Sequence, residues 1–417
     1  MIARLRERCF RASSVLVSFE TARTAALDMV RPHGRIEHVP IAAAAGRVLA
    51  RDLAAPHALP PFDQAAMDGY ALRFPDRENI RPNLPITGRT EAGDPPGLLL
   101  PGTAHSVMTG GILPQGADTV VMLEQAVRRG DSIDIAPGSA RGSHIRRAGE
   151  DVPAGSLALE QGRHIRWPEI ALLAAFGIES VPVAEPVRIA VLVTGSELRG
   201  PGKPLPAGSI HDSNGPMLAA LLRESGMDIS VQRVDDDGAA IAAELARLAG
   251  KADIVVTTAG MSVGARDHVP DAVMAIGGQL DIFKIAMKPG KPLALGRIGG
   301  AVYVGLPGNP QAVACGALAF LRPMIDAMLG CPAKAPFMAE AAFARGIRSA
   351  DRTELLPVRL CNRNGRLVAE RVGPEGSHRL APIAAADAMA IIPAPRPLDP
   401  GTLVEILPFA RMLPKGD

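Results

Sequence analysis

The sequence predicts a multidomain fold of α/β plus β class, with a central parallel α/β domain between two β-rich regions. The chain has 417 residues, which is enough for roughly two to four domains. Between residues 187 and 329, short apolar runs alternate with amphipathic helical segments, as in parallel sheets whose strands are joined by helices. On either side, short extended segments separated by Gly and Pro indicate β structure.

Composition argues against several classes of protein. Lys and Arg number 45 against 43 Asp and Glu, so neither nucleic acid nor a membrane surface is expected as the main partner. Charged residues, Gly or Pro interrupt every apolar run before it reaches the roughly 18 residues of a membrane-spanning helix. The four cysteines are too far apart for a zinc site or a disulfide framework. We therefore expect a cytoplasmic protein with reduced thiols.

The individual elements are predicted from caps and periodicity. Ser18 favours the start of a helix that Pro32 ends, and Gly177 suits the left-handed residue after a second helix. Apolar periodicity predicts strands at 187–193, 229–234, 254–257 and 302–304, and helices at 168–176, 214–226, around 241–248 and at 310–329. After residue 337, short extended segments flank the turn Asn364-Gly365.

Acidic residues follow the predicted strands of the α/β region. Ligands of parallel sheets bind beyond the carboxyl ends of the strands, so these loops are candidates for a site. Together the acids could hold a hard cation such as Mg²⁺, whereas each acid alone is more typical of a helix cap or a solvated loop. The acids are Glu197, Asp212, Asp236 and Asp267.

Two further loops of this region favour an anion. Lys288 and Lys291 lie in a turn stiffened by two prolines, with Lys284 just upstream, and such a turn suits a doubly charged oxyanion. Residues 305–310 follow a strand and open a helix, where free N–H groups and the helix dipole attract anions. An ordinary Gly/Pro turn is the alternative for this loop. The combined set predicts an anionic, phosphorylated ligand with a metal nearby.

A series of segments, taken in order, resembles the molybdopterin molybdenumtransferase family, that is MoeA and the E domain of gephyrin. The set covers nearly the whole chain: 45–50, 61–71, 108–124, 145–151, 194–198, 262–264, 288–292 and 305–310. Any one segment could arise by chance, but the ordered set makes chance a poor explanation. Without the resemblance, Asp63, Asp68 and Thr109 in the first half would be taken for residues that stabilise turns.

The resemblance implies an elongated homodimer of multidomain subunits. Each would have a helical and β linker domain, an inserted β domain, a central three-layer α/β domain that binds molybdopterin, and a C-terminal β-barrel. The corresponding residues are 15–57 with 144–183, 58–143, 184–331 and 332–417. In the family, the active cleft lies between the α/β domain of one subunit and the β domain of its partner, so Asp68 and Thr109 would act in trans.

The reaction implied by the resemblance is Mg²⁺-assisted cleavage of adenylylated molybdopterin, with insertion of molybdate into the dithiolene and release of AMP. Carried over by motif, the catalytic residues would be Asp68, Thr109, Glu197, Asp236 and Asp267, with Glu197 and Asp267 at the metal. The substrate-binding residues would be Asp212, Ser262, Lys284, Lys288, Lys291, Pro307, Gly308, Asn309, Arg352 and Ser377. A molybdopterin adenylyltransferase or a molybdoenzyme would be a further partner.

Departures from the family pattern leave alternatives open. Ser196 and Ala265 stand where the family has acids, and Ala259 stands where it has Gly. A paralogue that binds or delivers the cofactor without catalysis is one alternative. A molybdopterin adenylyltransferase is another, because Arg266-Asp267 resembles part of that family's motif, although the Thr-Gly-Gly-Thr-Gly loop is missing. The sequence does not distinguish molybdate from tungstate as the oxyanion.

Overall fold

The chain folds into two compact units. In a computed structural model, the described residues are 16–78, 83–136, 138, 140–223, 226–260, 268–332, 337–340, 351–374, 376–394 and 397–409. The larger unit comprises Met1–Glu37, Gly46–Ala50 and Val183–Asp417, and the smaller unit comprises His38–Ala45 and Arg51–Pro182.

The helices are short, and the longest runs over 12 residues. In chain order they are α1 (Phe19–Asp28), α2 (Phe74–Glu78), α3 (Trp167–Ala175), α4 (Asn214–Arg223), α5 (Gly238–Ala249), α6 (Val269–Ala275), α7 (Pro310–Gly316), α8 (Arg322–Met328) and α9 (Ala381–Ala384). A π-helical turn, Ala317–Leu321, joins α7 to α8, and 3-10 turns occur at Ile41–Ala43 and Leu123–Gln125. Among the described residues, no helix has the length and apolar character of a membrane span.

The strands are distributed over both units. In chain order they are β1 (Ile36–Pro40), β2 (Leu53–Ala54), β3 (Gln64–Ala65), β4 (Gly69–Leu72), β5 (Leu84–Thr90), β6 (Ala104–Val107), β7 (Thr119–Met122), β8 (Ala126–Arg129), β9 (Ser132–Ile135), β10 (Ile145–Arg146), β11 (Leu157–Leu159), β12 (Ser180–Ala184), β13 (Arg188–Thr194), β14 (Leu198–Arg199), β15 (Ile210–His211), β16 (Asp228–Val234), β17 (Ile254–Thr258), β18 (Gln279–Ile282), β19 (Met287–Lys288), β20 (Ala294–Ile298), β21 (Ala301–Leu306), β22 (Phe337–Glu340), β23 (Thr353–Arg363), β24 (Arg366–Arg371), β25 (Ala388–Ile392) and β26 (Leu403–Pro408).

The helix ends confirm the predicted caps. The Thr21 N–H donates to the Ser18 hydroxyl at 3.1 Å, so Ser18 satisfies one of the free donors at the start of α1. At the end of α3, Gly177 has a φ of +65° and donates to the Ala174 carbonyl, while the Ile178 N–H donates to the Leu173 carbonyl. This pair of bonds is a Schellman motif, which requires a left-handed residue and therefore favours glycine at position 177.

The central sheet of the larger unit has the strand order β16-β13-β17-β21-β20-β18. The strands from β16 to β21 are parallel, as predicted. The sheet also has two strands beyond the predicted four: at the other edge, β20 is antiparallel to β21 and β18 is antiparallel to β20. Only Gly299 and Gly300 separate β20 from β21, and so short a connection allows an antiparallel hairpin but no crossover.

Strand β13 is buried on both faces, which gives the sheet a layer of helices on each side. Ile189, Val191 and Val193 belong to a core shared with α1, α4 and the segment from α7 to α8. Ala190 and Leu192 point to the opposite core, which α5 and α6 cover. Each fully buried Val, Ile or Leu contributes roughly 1.5–3 kcal/mol, so this alternation fixes the register of the whole layer.

The last part of the larger unit is a closed β-barrel. Strands β23, β24, β22, β26 and β25 pair in that order, and β25 pairs again with β23, so no free edge is left in this ring. Asn364 and Gly365 have positive φ and connect β23 to β24, as the turn prediction required. Strand β19 joins the start of β23 in parallel, with Lys288 opposite Glu354. This pairing attaches the barrel to a loop of the α/β region.

The smaller unit contains a sheet of order β7-β4-β6-β5-β9-β8. Strand β4 is wholly buried and follows directly after Asp68. Its first residue must be glycine, because a Cβ on Gly69 would lie 2.0 Å from the Val121 carbonyl oxygen. The segment 61–71 is therefore fixed at its end by close backbone packing.

A buried carboxylate stabilises the smaller unit. Glu169 is 2% exposed, and its carboxylate accepts hydrogen bonds from Arg163, from Arg166 and from the Arg166 N–H. Burial alone would raise the pKa of Glu169, but the guanidinium groups of Arg166 and Arg163 and the backbone N–H lower it to about 2. The Glu169 carboxylate is therefore charged in the folded protein at neutral pH.

Glu169→Gln is expected to lower the free energy of unfolding by about 2 kcal/mol at pH 7, because hydrogen bonds to a charged group are lost. The stabilisation from a lowered carboxyl pKa is present above about pH 4.5 and is lost as the pH falls through 2, so the deficit should shrink at pH 3. Denaturant titrations at both pH values measure it, with the exposed Glu160→Gln as the control. Equal deficits at both pH values would contradict this role.

Candidate active site

The parallel strands deliver their following loops to one edge of the central sheet. Strands β13, β16, β17 and β21 run in the same direction, so the loops after Thr194, Val234, Thr258 and Leu306 leave at that edge. We call this edge, with the loops that leave it, the carboxyl edge.

The antiparallel hairpin brings the lysine turn to the same place. Ala294, the first residue of β20, lies opposite Gly305 near the end of β21. Strand β18 ends with Ile282 opposite Leu295. Both ends of the segment 283–293 are therefore fixed at the carboxyl edge, together with Lys284, Lys288 and Lys291. The predicted parallel sheet could not have located this segment.

A reciprocal pair of hydrogen bonds joins the loops after β13 and β16. The Ser196 N–H donates to Asp236 Oδ2 at 3.1 Å, and the Asp236 N–H donates to the Ser196 hydroxyl at 3.0 Å. Ser196 replaces an acid of the family pattern, and a second carboxylate here would face Asp236. This pair uses one carboxylate oxygen of Asp236. Among the described residues, no group donates a hydrogen bond to the other oxygen, which can therefore bind a ligand.

Glu197 lies beside this pair and is exposed. Its carboxylate lies close to Gly195. A Cβ added to Gly195 would lie 2.9 Å from one carboxylate oxygen and 3.0 Å from the other. Among the described residues, no group donates a hydrogen bond to this carboxylate. Glu197 and Asp236 thus present free carboxylate oxygens, the donor type that Mg²⁺ prefers.

Asp212 has contacts typical of a helix cap. It is 4% exposed, accepts the Gly215 N–H at 3.0 Å and lies 3.5 Å from an Arg233 guanidinium nitrogen. These contacts occupy both oxygens of Asp212 in the structure. Asn214, the first residue of α4, donates from Nδ2 to the Gly308 carbonyl at 2.7 Å and so connects α4 to the loop after β21.

The loop after β21 contacts the barrel region. The Asn309 amide donates to the Ser377 hydroxyl at 2.9 Å, and the Gln311 N–H donates to the Ser377 carbonyl at 3.1 Å. Pro307 is buried, whereas Gly308 and Asn309 are exposed at the start of α7. Ala259 approaches Gly308 from the loop after β17 and has a φ of +71°, a conformation that favours the glycine of the family pattern.

Strand β23 organises the lysine turn. Lys288 forms a 2.8 Å ion pair with Glu354, and Arg352 donates to the Met287 carbonyl at 3.2 Å. Lys291 is exposed, and Lys284 lies 5.8 Å above the Phe283 ring. Cationic groups from this turn and from the barrel strand therefore lie at the carboxyl edge that also carries Glu197 and Asp236.

Asp68 and Thr109 contact each other in the smaller unit. The Thr109 N–H and hydroxyl both donate to Asp68 Oδ1 at 2.7 Å. These two bonds, the backbone one first, lower the pKa of Asp68 and keep it charged at neutral pH. Both residues are exposed, and within the described residues Oδ2 has no hydrogen-bond donor.

Asp63, the other acid of the segment 61–71, has a structural role. It accepts hydrogen bonds from the Ala148 N–H at 2.8 Å and from Arg147 at 2.6 Å. Burial acts to raise the pKa of Asp63, but the Ala148 N–H and the Arg147 guanidinium lower it. The two acids of this segment thus divide into one that fixes a neighbouring loop and one that faces solvent.

The predicted residues Ser262 and Asp267 lie outside the described residues. Sequence reasoning missed Glu354, Asn214 and the role of Ser196, because each acts through a partner distant along the chain. The one signal in the sequence was an acid directly before an apolar pair, as at Glu354 before Leu355 and Leu356. Its partner could not be identified without the pairing of β19 with β23.

The geometry describes an α/β protein whose carboxyl edge suits an anionic ligand with a hard cation. Three family models match the chain: "MoeA N-terminal region (domain I and II)" at residues 17–177, "Probable molybdopterin binding domain" at 190–327 and "MoeA C-terminal region (domain IV)" at 340–409.

Similar proteins agree with these matches. Molybdopterin molybdenumtransferase 2 of Mycobacterium tuberculosis is 37% identical over 85% of this chain and 90% of its own. The molybdopterin molybdenumtransferase of Haemophilus influenzae is 32% identical over 95% of this chain and 100% of its own. The crystal structure of the molybdopterin biosynthesis MoeA protein from Pyrococcus horikoshii OT3 has 28% identity and a TM-score of 0.77, covering 94% of this chain and 99% of its own. The chain belongs to the MoeA family of molybdopterin molybdenumtransferases.

Thr109→Val is expected to raise the pKa of Asp68 toward its ordinary value, because the hydroxyl bond is lost while the backbone N–H bond remains. NMR titration of protein labelled at the Asp carboxyl carbons measures this pKa. Thr87→Val, which removes a threonine hydroxyl bonded to Thr103 in the same unit, is the control and should leave it unchanged. An unaltered pKa in Thr109→Val would show that the hydroxyl bond does not act on Asp68.

Proposed function

We propose that the protein inserts molybdate into the dithiolene of adenylylated molybdopterin and releases AMP in a Mg²⁺-dependent reaction. The observation that carries the proposal is the convergence at the carboxyl edge of a lysine turn, a loop at a helix start and uncommitted carboxylates. Membership of the MoeA family supports the reaction class, and the charges suit a substrate with phosphates and an added oxyanion.

The proposed roles follow the chemistry of each group. Lys288 and Lys291 hold the oxyanion, molybdate or phosphate, and the loop 305–310 seats the nucleotide or pterin end at its exposed residues Gly308 and Asn309. Lys284, Arg352 and Ser377 complete the binding surface, with Ser262 in the proposal as a further substrate residue and Asp212 as the residue that supports the substrate-binding loop before α4.

Glu197 and Asp236 offer oxygen ligands, and the proposal adds Asp267 to them. Mg²⁺ bound there would neutralise phosphate charge. Water attacks the AMP phosphorus, the bond to the bridging oxygen breaks, and AMP and molybdopterin phosphate separate. In the insertion step, the two dithiolene sulfurs form bonds to molybdenum while molybdate oxygen leaves as water with the two thiol protons, so the oxidation state of molybdenum does not change. A carboxylate of this set accepts the water proton.

The proposal includes a homodimer in which Asp68 and Thr109 of one subunit serve the carboxyl edge of its partner. The support within the chain is that both residues are exposed, with one Asp68 oxygen uncommitted among the described residues. We also propose four domains in each subunit, at residues 15–57 with 144–183, 58–143, 184–331 and 332–417. A molybdopterin adenylyltransferase or a molybdoenzyme is proposed as a further partner.

A non-catalytic scaffold is the second candidate. The Ser196–Asp236 pair favours it, because Ser196 stands where the family pattern has another acid. Reconstitution separates the two: the protein is incubated with adenylylated molybdopterin, Mg²⁺ and either molybdate or tungstate. AMP release with formation of active cofactor is the expected result. Binding without AMP release would support the scaffold, and efficient adenylylation of molybdopterin by ATP would support the adenylyltransferase.

Gly195→Ala is expected to lower the rate of AMP release by about 10- to 100-fold, as Glu197→Gln should, because the new Cβ would lie 2.9 Å from a Glu197 carboxylate oxygen and 2.9 Å from Leu198 Cγ, so that the Glu197 loop must shift. The matched control is Gly202→Ala, which also places alanine at a positive φ but contacts nothing within 4 Å. Steady-state assays with thermal unfolding distinguish misplacement of Glu197 from loss of fold. Equal activity of the Gly195 and Gly202 variants would refute the role of this contact.

A further inference from the structure

The ion pair between Lys288 and Glu354 joins the α/β region to the barrel. Lys288 Nζ lies 2.8 Å from Glu354 Oε1, and the two residues are register partners of β19 and β23. The backbone supports the same contact, because the Thr353 N–H donates to the Ala286 carbonyl at 3.1 Å. The position of the ammonium group is thus set from the barrel as well as from its own turn.

Burial makes the two partners unequal. The Glu354 side chain is 10% exposed, whereas that of Lys288 is 45% exposed. A nearly buried carboxylate is costly without a cation, so Glu354 has a strong preference for this contact. An ammonium group has three N–H donors and the Lys288 side chain is 45% exposed, so it can contact an anion in addition to Glu354.

The location of Glu354 is unusual for an anion-binding region. A carboxylate beside a cation site repels an incoming dianion, which weakens binding. It also orients the lysine, which otherwise has a flexible four-carbon stem. Glu354 therefore weakens the binding of an anion but favours a fixed orientation of the Lys288 ammonium.

We propose that Glu354 is a positioning residue for the oxyanion step: it holds the Lys288 ammonium in its reactive orientation and limits how tightly the tetrahedral oxyanion binds. This inference rests on the proposed function, in which Lys288 contacts molybdate or the adenylate phosphate. Lost orientation lowers kcat, whereas lost repulsion tightens anion binding.

Two variants separate charge from position. Glu354→Gln removes the charge and keeps a hydrogen-bond acceptor, and Glu354→Asp keeps the charge on a side chain one methylene shorter. The matched control is Glu405→Gln, a barrel glutamate that is 14% exposed and paired at 2.9 Å with Arg23 of α1. Calorimetric titration with molybdate alone and with AMP alone gives the dissociation constants, and reconstitution gives kcat and the KM for molybdate.

In Glu354→Gln, molybdate binding should tighten about threefold because the negative charge is lost, while kcat should fall about tenfold because an amide oxygen holds the ammonium less firmly than a carboxylate does. Glu354→Asp should bind molybdate as the unaltered protein does, yet lose kcat. Glu405→Gln should change neither quantity, even if its thermal unfolding midpoint falls as far. A tightening for AMP but not for molybdate would assign Lys288 to the phosphate.

The inference is overturned if Glu354→Gln and Glu405→Gln have the same anion affinities and the same kcat, or if Glu354→Gln lowers stability alone. Failure of the proposed function is a different result: the unaltered protein would then release no AMP. The anion titrations remain informative in that case, because they require no turnover.

Discussion

The part of the candidate site that lies in the larger unit depends on strand direction within one sheet. Strand β13 is buried on both faces, so its register against β16 and β17 cannot slip without exposing a hydrophobic layer. That register brings the loops containing Glu197 and Asp236 together, and the antiparallel strands β18 and β20 return the lysine turn to the same edge. Backbone pairing thus brings loops that are far apart in sequence to the same edge of the sheet.

Charge pairing then sets what each polar group can do. Asp212 and Asp63 are committed to backbone N–H groups and to arginines, so their charges stabilise loops. Glu197 and one oxygen each of Asp68 and Asp236 are uncommitted among the described residues. Because Ser196 stands in place of an acid, two hydrogen bonds to Asp236 replace the repulsion between two carboxylates. The carboxyl edge therefore carries less negative charge, and its two loops remain joined.

Much of the fold followed from local signals. The Ser18 cap, the left-handed Gly177 and the apolar alternation of β13 were sufficient for the helix ends and the parallel strands. The antiparallel edge was missed because the hairpin at Gly299-Gly300 joins short strands with no strong periodicity. The closed barrel came from the resemblance, since pairing between β25 and β23 is a long-range contact.

The site was predictable in part. Residue types and loop positions indicated Lys288, Glu197 and the loop 305–310. The ion-pair partners of these charged groups were not predictable, because they lie far away in sequence. Examples are Arg233, which pairs with Asp212, and Glu354, which pairs with Lys288. The family match of the segment 61–71 likewise did not distinguish Asp63, which fixes a loop, from Asp68, which faces solvent.

The central proposal is that two sets of loops, one from each subunit of a homodimer, form one site. It is tested most directly by a heterodimer of one Asp68→Ala subunit and one Lys288→Ala subunit, isolated with two different tags. If Asp68 acts in trans, one site of the heterodimer carries both substitutions and the other carries none. AMP release should then be about half that of the unaltered dimer, although each variant homodimer is inactive. A heterodimer as inactive as both homodimers would contradict the account.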